Sequence, residues 1–182
     1  MVENNTIVID TFAEAFPMKA SRLIITAHNK TWALKAAESF TGFATSVIAC
    51  GCEAGIEKIL NSNDTPDGRP GVSILVFSMS SKELAKQILN RAGQCVMTTP
   101  TSSLFSGSTG DIKINLGKSL RYFGDGYQIS KIINGKRFWR IPVMDGEFVC
   151  EEYAYQQKAI GGGNFLVVGK DVDSVLKASE VA

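Results

Sequence analysis

Histidine is nearly absent from the chain. His28 is the only one, so a histidine-based metal centre has no ligand set. No apolar run approaches the ~20 residues needed to span a membrane. The first ten residues carry Glu3 and Asn4 and lack the basic, then apolar, then small-residue order of a secretory signal. A cytoplasmic location is therefore expected. An excess of charge is also missing. Lys plus Arg number 19 and Asp plus Glu 18, a net charge of +1, so nucleic acid is not an expected partner. The four cysteines, Cys50, Cys52, Cys95 and Cys150, form no C-x-x-C pair, and reduced, mostly buried thiols are expected.

What is present suits a globular domain. The chain has 182 residues, of which 45% are apolar and 20% charged. That length fits one domain, or one domain plus part of another. Leu23–Ala27 is a short apolar run that reads as a buried strand. Asn29 can cap a helix that places Trp32, Ala33, Ala36, Ala37 and Phe40 on one face, with Gly42 as its stop. Thr45–Ala49 and Val72–Phe77 read as the second and third strands. Ser80 and Glu83 have capping-box spacing ahead of a helix with Leu84, Ala85, Ile88, Leu89 and Ala92 on one face and Gly93 as its stop. Cys95–Thr98 reads as a fourth strand, ended by Pro100.

The order β-α-β-β-α-β is that of a ferredoxin-like α+β unit with both helices on one face of a sheet. Between strands two and three, Cys50–Gly71 is too long for an ordinary hairpin loop. Its Pro- and Gly-dense part, Asp64–Gly71, reads as an ordered loop over one edge of the sheet. Ser102–Lys113 reads as a surface loop. Asn134-Gly135 and Asp145-Gly146 are hairpin signals joining Tyr127–Ile133, Lys136–Met144 and Glu147–Tyr155 into an added antiparallel meander. Asn164–Gly169 reads as a strand, and Asp171 as the cap of a final helix.

Several groups can carry chemistry. Asp67, Arg69 and the backbone N–H groups around Gly68 suit an anionic ligand, because Arg binds phosphate or carboxylate bidentately. The same two side chains can equally brace their own loop. Gly161-Gly162-Gly163-Asn164 precedes a strand instead of following one, so it is not a dinucleotide fingerprint. It marks a close backbone approach, to another segment or to a ligand. Phe123–Tyr127 brackets Asp125 with glycines and reads as a turn. His28 with Cys95 would be needed for a cysteine hydrolase, although no nucleophile elbow accompanies them. Cys50-Gly-Cys52 is a possible redox pair or half of a metal site.

Longer strings resemble a known family. They are Asp10-Thr-Phe-Ala-Glu-Ala-Phe16, Thr41-Gly-Phe-Ala-Thr-Ser-Val-Ile48, Thr65-Pro-Asp-Gly-Arg-Pro-Gly71, Gly93-Gln-Cys-Val96, Phe123-Gly-Asp-Gly-Tyr127, Ile141-Pro-Val-Met-Asp-Gly-Glu-Phe148 and Gly162-Gly-Asn-Phe165. Together, in order from about Ile7 to Gly169, they resemble formylmethanofuran:tetrahydromethanopterin formyltransferase. Phe16-Pro-Met-Lys-Ala20 and Ser46-Val-Ile-Ala-Cys-Gly-Cys-Glu-Ala54 are similar to its bacterial methylotroph branch.

The resemblance implies two lobes, with residues 1–150 as the N-terminal ferredoxin-like lobe plus meander and 151–182 as the start of an incomplete second lobe of similar build. It implies formyl transfer between N5 of tetrahydromethanopterin and the amine of methanofuran or an analogue, with both carriers as substrates and no tightly bound cofactor or metal. It also implies a homo-oligomer or a place in a formyltransferase/hydrolase complex. A truncated, non-catalytic assembly subunit is the alternative. The residues expected to serve are Asp67, Gly68, Arg69, Gln94 and Asn164 in binding, with Glu147 handling a proton.

Overall fold

The computed structural model describes residues 2–3, 6–9, 14–144, 146–163 and 166–182. Two compact units emerge, Pro17–Ala159 and a smaller one made of Met1–Phe16 with Ile160–Ala182. The smaller unit opens with β1 (Val2–Glu3), paired antiparallel with β2 (Thr6–Ile7).

The larger unit begins at Pro17, the second residue of β3 (Phe16–Thr26), whose alternation buries Leu23 and Ile25 on one face and turns Arg22 and Ile24 to the other. Helix α1 (Lys30–Thr41) follows, and its first turn is capped by Asn29, whose side chain accepts from the Trp32 N–H. Ala33, Ala36, Ala37 and Phe40 are buried as expected, while Trp32 stays 42% exposed at the edge of that face. Gly42 does stand at the helix end, but in extended geometry; the left-handed residue is Phe43, with φ 48°.

The expected second strand is corrected here. Only Thr45–Ser46 (β4) is extended, and Val47–Cys50 form a helical turn, α2, capped by the Ser46 hydroxyl. The long second strand is β5 (Cys52–Leu60), inside the stretch read as a loop. It forms a hairpin with β6 (Gly71–Ser78), so the true loop is Asn61–Pro70. Ser80 caps α3 (Ser81–Arg91) through the Glu83 N–H. Gly93 does not stop that helix. The chain widens into a π-helical turn, Ala92–Val96, that absorbs Cys95, and the fourth strand is β7 (Ser103–Ser106), not Cys95–Thr98.

The pairings β5·β6, β6·β3 and β3·β7 are all antiparallel. In chain order this is 2-3-1-4, the ferredoxin-like arrangement. Helices α1 and α3 pack on one face against Val72, Ile74 and Val76 of β6 and Leu23 and Ile25 of β3. Each of these side chains, fully removed from water, stabilises the fold by about 1.5–3 kcal/mol before the entropy of ordering is counted.

The stretch Ser102–Lys113, expected to be loop, thus holds β7 and the first two residues of β8 (Ile112–Asn115), after which come helix α4 (Gly117–Leu120) and a 3-10 turn, Arg121–Gly124. The meander follows as β9 (Ile129–Ile133), β10 (Lys136–Val143) and β11 (Gly146–Glu151), and a parallel pairing of β11 with β7 joins it to the sheet. Asn134 and Gly135 both take positive φ, 50° and 77°, as a two-residue hairpin turn requires. Asp145 lies outside the described residues. Last in the sheet, β12 (Tyr153–Gly161) pairs with β3 and β8.

In the C-terminal part of the smaller unit, Leu166–Gly169 has no regular structure, which corrects the strand expected at Asn164–Gly169; Asn164 and Phe165 lie outside the described residues. Helix α5 (Val172–Val181) is capped by Asp171, whose carboxylate accepts from the Ser174 N–H at 2.9 Å. Gly162, at φ 81°, is where a close approach excludes a side chain: an added Cβ would lie 2.4 Å from the Phe16 ring.

Candidate functional site

Strand register builds one end of the large sheet. Gly71 pairs with Thr26, Thr26 with Ser103, and Ser103 with Val149. There β3 ends and β6, β7 and β11 begin, and over that end runs Asn61–Pro70. Its path is set by local bonds. Thr65 donates its hydroxyl to the Arg69 carbonyl at 2.7 Å, the Arg69 N–H donates to Asp67 Oδ1 at 3.2 Å, and Gly68 takes φ 73°. Gly71 is required because a Cβ there would lie 3.0 Å from the Ile25 carbonyl and 2.8 Å from Thr65 Cγ2.

The Arg69 guanidinium is the hub. Nε donates to Asp67 Oδ2 at 2.8 Å, and one terminal nitrogen donates to the Thr101 carbonyl at 2.6 Å. The other donates to the hydroxyls of Thr26 at 3.1 Å and Ser103 at 2.6 Å. Thr26 in turn donates to Asp67 Oδ2 at 2.7 Å. Four of the five guanidinium N–H groups are thus engaged, leaving at most one for a ligand. Of the two uses open to Asp67 and Arg69, bracing the loop is the one seen in their contacts.

Thr101 sits at φ 62°, unusual for a β-branched residue and worth about 1–3 kcal/mol of strain. Its conformation is held from both sides, by Arg69 at its carbonyl and by the His28 N–H donating to its hydroxyl at 3.0 Å.

Of the other expected residues, Gln94 and Glu147 are described. Gln94 has its side chain exposed on the π turn, and its carbonyl accepts from the Thr98 hydroxyl at 2.8 Å. Glu147, on β11, is exposed and accepts from Arg140 Nε at 2.8 Å. Because Val149 pairs with Ser103 in parallel, Glu147 belongs to the same end of the sheet as Arg69. Asn164 lies outside the described residues.

Two cavities adjoin polar groups that sequence reasoning passed over. One, of about 480 Å³, lies on the sheet face opposite the helices, lined by Arg22, Glu57, Leu60, Ser73 and, from the loop, Asp64. Arg22 grips Glu57 bidentately, with both bonds at 2.7 Å, and Ser73 adds a third at 2.7 Å. The Arg22 bond, aided by Ser73, holds the Glu57 carboxyl below its ordinary range. The second cavity, about 220 Å³, is lined by Lys113, Lys136, Arg137, Glu151 and Tyr153, among others. Glu151 is only 4% exposed, and burial pushes its carboxyl up against the opposing pull of Lys136. The sequence offers faint signals for these groups. A lone Arg interrupts the apolar run of β3, and the Thr26 and Ser103 hydroxyls and the Thr101 carbonyl that meet Arg69 leave no trace.

The described residues contain no cluster of three or more His, Cys, Asp or Glu arranged to hold a metal. Among them, no helix is long and apolar enough to cross a membrane.

Comparison with known proteins gives a consistent result. The family model for formylmethanofuran-tetrahydromethanopterin formyltransferase matches residues 1–143, and that for the proximal lobe matches 146–182. A Methylococcus capsulatus protein named formylmethanofuran--tetrahydromethanopterin formyltransferase is 61% identical over 182 residues, all of this chain and 61% of the relative. A Methylorubrum extorquens protein, named as a component of the formyltransferase/hydrolase complex, is 48% identical over 185 residues, 98% of this chain and 60% of the relative. The crystal structure of the Methylorubrum extorquens complex with methylofuran superposes with a TM-score of 0.92 at 46% identity, covering 100% of this chain and 61% of that one. The Methanosarcina barkeri formyltransferase superposes at 0.94 and 43% identity, covering 99% and 61%. The chain spans about 61% of the length of these relatives. It belongs to the formylmethanofuran–tetrahydromethanopterin formyltransferase family.

Proposed function

We propose that this chain supplies the N-terminal lobe, and the start of the second lobe, of an enzyme moving a formyl group between N5 of tetrahydromethanopterin and the amine of methanofuran or an analogue. The observation that carries this reading is the match of both family models in order, over 1–143 and 146–182, joined to superposition on two formyltransferase structures over essentially the whole chain. Residues 1–150 are then the first lobe and 151–182 the beginning of the second, in keeping with the proximal-lobe match at 146–182.

The chemistry sets the roles. Amide-to-amine transfer passes through a tetrahedral adduct. It needs both carriers held together, donors aimed at the developing oxyanion, and a carboxyl group that moves a proton between the two nitrogens. On this reading the loop Asp67-Gly68-Arg69 meets an anionic or carbonyl group of a carrier. Arg69 acts mainly by fixing the loop, and backbone N–H groups around Gly68 serve as donors. Gln94 and Asn164 donate to a carbonyl oxygen. Glu147, whose carboxylate accepts from Arg140 Nε at 2.8 Å, handles a proton. In the cell, the reading places the chain in the cytoplasm, in a homo-oligomer or a complex like that of the Methylorubrum extorquens relative. Transfer then runs toward the methanofuran analogue, and partner proteins hydrolyse the product to formate.

The test supplies the rest of the second lobe. Residues 1–182 replace the matching segment of the Methylorubrum extorquens relative, and formyl transfer between the two carriers is followed by mass spectrometry. Formylated amine is the expected product. A folded chimera that binds both carriers and transfers nothing rejects catalysis and favours the non-catalytic assembly alternative.

A further inference from the structure

Cys50 and Cys52 take no part in the formyl-transfer reading, yet their surroundings are specific. Cys50 ends α2 and is half-buried, and Cys52 opens β5 with no exposed surface. Gly51 between them is left-handed, with φ 75° and ψ −15°. A residue in that compact region draws its two flanking Cα atoms to roughly 5.5 Å, by the same geometry that sets i to i+2 in a helix. Extended backbone would hold them about 6.6 Å apart. The shorter span falls at the centre of the range for disulfide-bonded residues, about 5.5–6 Å. The turn is tethered from outside, because the Ser78 hydroxyl donates to the Gly51 carbonyl at 3.0 Å.

We propose that Cys50 and Cys52 form a dithiol that a low-molecular-weight disulfide, such as oxidised glutathione, converts into an intramolecular disulfide. The partly exposed Cys50 thiolate attacks one sulfur of the reagent. The reagent's S–S bond breaks and one glutathione thiolate leaves. Cys52 then attacks the Cys50 sulfur and the second glutathione thiolate leaves. The protein loses two electrons and two thiol protons, and one glutathione disulfide becomes two glutathione thiols. Cys50 is the entry thiol because it has surface. Cys52 is the resolving thiol because it does not; burial pushes its thiol up, and the Arg91 guanidinium opposes that shift without overcoming it. The reaction has a structural readout. The Cys52 thiol lies 3.7 Å from Gln87 Oε1, which also accepts from Arg91 Nε at 3.2 Å. Arg91 ties down the end of α1 through the Phe40, Gly42 and Phe43 carbonyls at 2.6, 2.7 and 2.9 Å.

The native chain is equilibrated with oxidised glutathione, alkylated, and digested with trypsin. One peptide, Ala36–Lys58, contains both cysteines and neither Cys95 nor Cys150. Its capacity for alkylation should fall from two groups to none, its mass should drop by two hydrogens, and dithiothreitol should reverse both changes. Cys52→Ser should stop at a stable glutathione adduct on Cys50. Cys50→Ser should leave Cys52 unmodified in the native chain. Full alkylation of Ala36–Lys58 after oxidation would overturn the proposal, as would a link from Cys50 to Cys95 or to a second chain, or a Cys52→Ser variant that takes up no glutathione. The readout is covalent, so it is independent of whether formyl transfer occurs.

Discussion

Replacing Arg69 with Ala removes the side chain that ties the loop over the sheet end to Thr26 on β3 and to the Thr101–Ser103 segment. Its bonds to the Thr101 carbonyl and to the Thr26 and Ser103 hydroxyls all leave the loop, and Ser103 is 1% exposed, so its hydroxyl is left without that donor in a dry place. At a net value of about 1 kcal/mol for each of these bonds, the loss is about 3 kcal/mol. The ion pair with Asp67 adds little, because it is partly solvated. In a chain of this size, a loss of about 3 kcal/mol lowers Tm by roughly 6–12 °C. Arg69→Lys should recover only part of that, since an ammonium group cannot present the planar fork that reaches Thr101 and Ser103 together. Thermal unfolding by circular dichroism, with urea titration to check that the m-value holds, measures both variants. A drop below about 2 °C for Arg69→Ala would refute the clamp, because it would be less than one such bond is worth.

Glu151 and Glu57 should give stability slopes of opposite sign. Glu151 is raised above its ordinary 4.5, so the folded chain keeps a proton that the unfolded chain has released; wild type should lose ground to Glu151→Gln as pH rises from about 4.5. Glu57 is lowered, so its contribution is complete above 4.5 and disappears as pH falls through its folded value; the advantage of wild type over Glu57→Gln should shrink in acid. Matched Tm-versus-pH curves of the same slope would contradict both assignments. Gly71→Ala should destabilise by about 1–3 kcal/mol in urea titration, since the new Cβ meets the Ile25 carbonyl at 3.0 Å as well as the Thr65 methyl at 2.8 Å, and the backbone contact cannot be relieved by turning a side chain. Phe40→Ala should cost about 3–5 kcal/mol, because Phe40 has no exposed surface and packs beneath the sheet, and near-wild-type stability would mean the core is not where it is described.

The topology was legible because helix faces and caps speak locally. Asn29, Ser80 and Asp171 each cap as their side chains dictate, and Asn134-Gly135 turns as its positive φ values require. Two strands were misplaced for definite reasons. β5 lies next to the short edge strand β4 with most of its residues exposed, so Glu, Lys and Gly fill it and no apolar run marks it. β7 is Ser-Leu-Phe-Ser with all four residues buried, and its serines read as loop until cross-sheet partners exist for them. Cys95–Thr98 misled in the other direction, because Val96 and Met97 are buried by the π turn and its exit instead of by a strand. At the candidate site, Asp67, Gly68 and Arg69 stood out through their density of Pro, Gly and charge. The hydroxyls that hold them come from segments far away in sequence, which no local pattern announces.

The functional proposal requires a carrier to meet this lobe at the loop over the sheet end. Hydrogen–deuterium exchange on the Methylorubrum extorquens chimera, with and without the methanofuran-type carrier, tests that directly. Slowed exchange in residues 61–71 and 98–103 is the expected result. Slowed exchange confined to the strands around Glu151 and Tyr153, with the Arg69 loop unchanged, would contradict it.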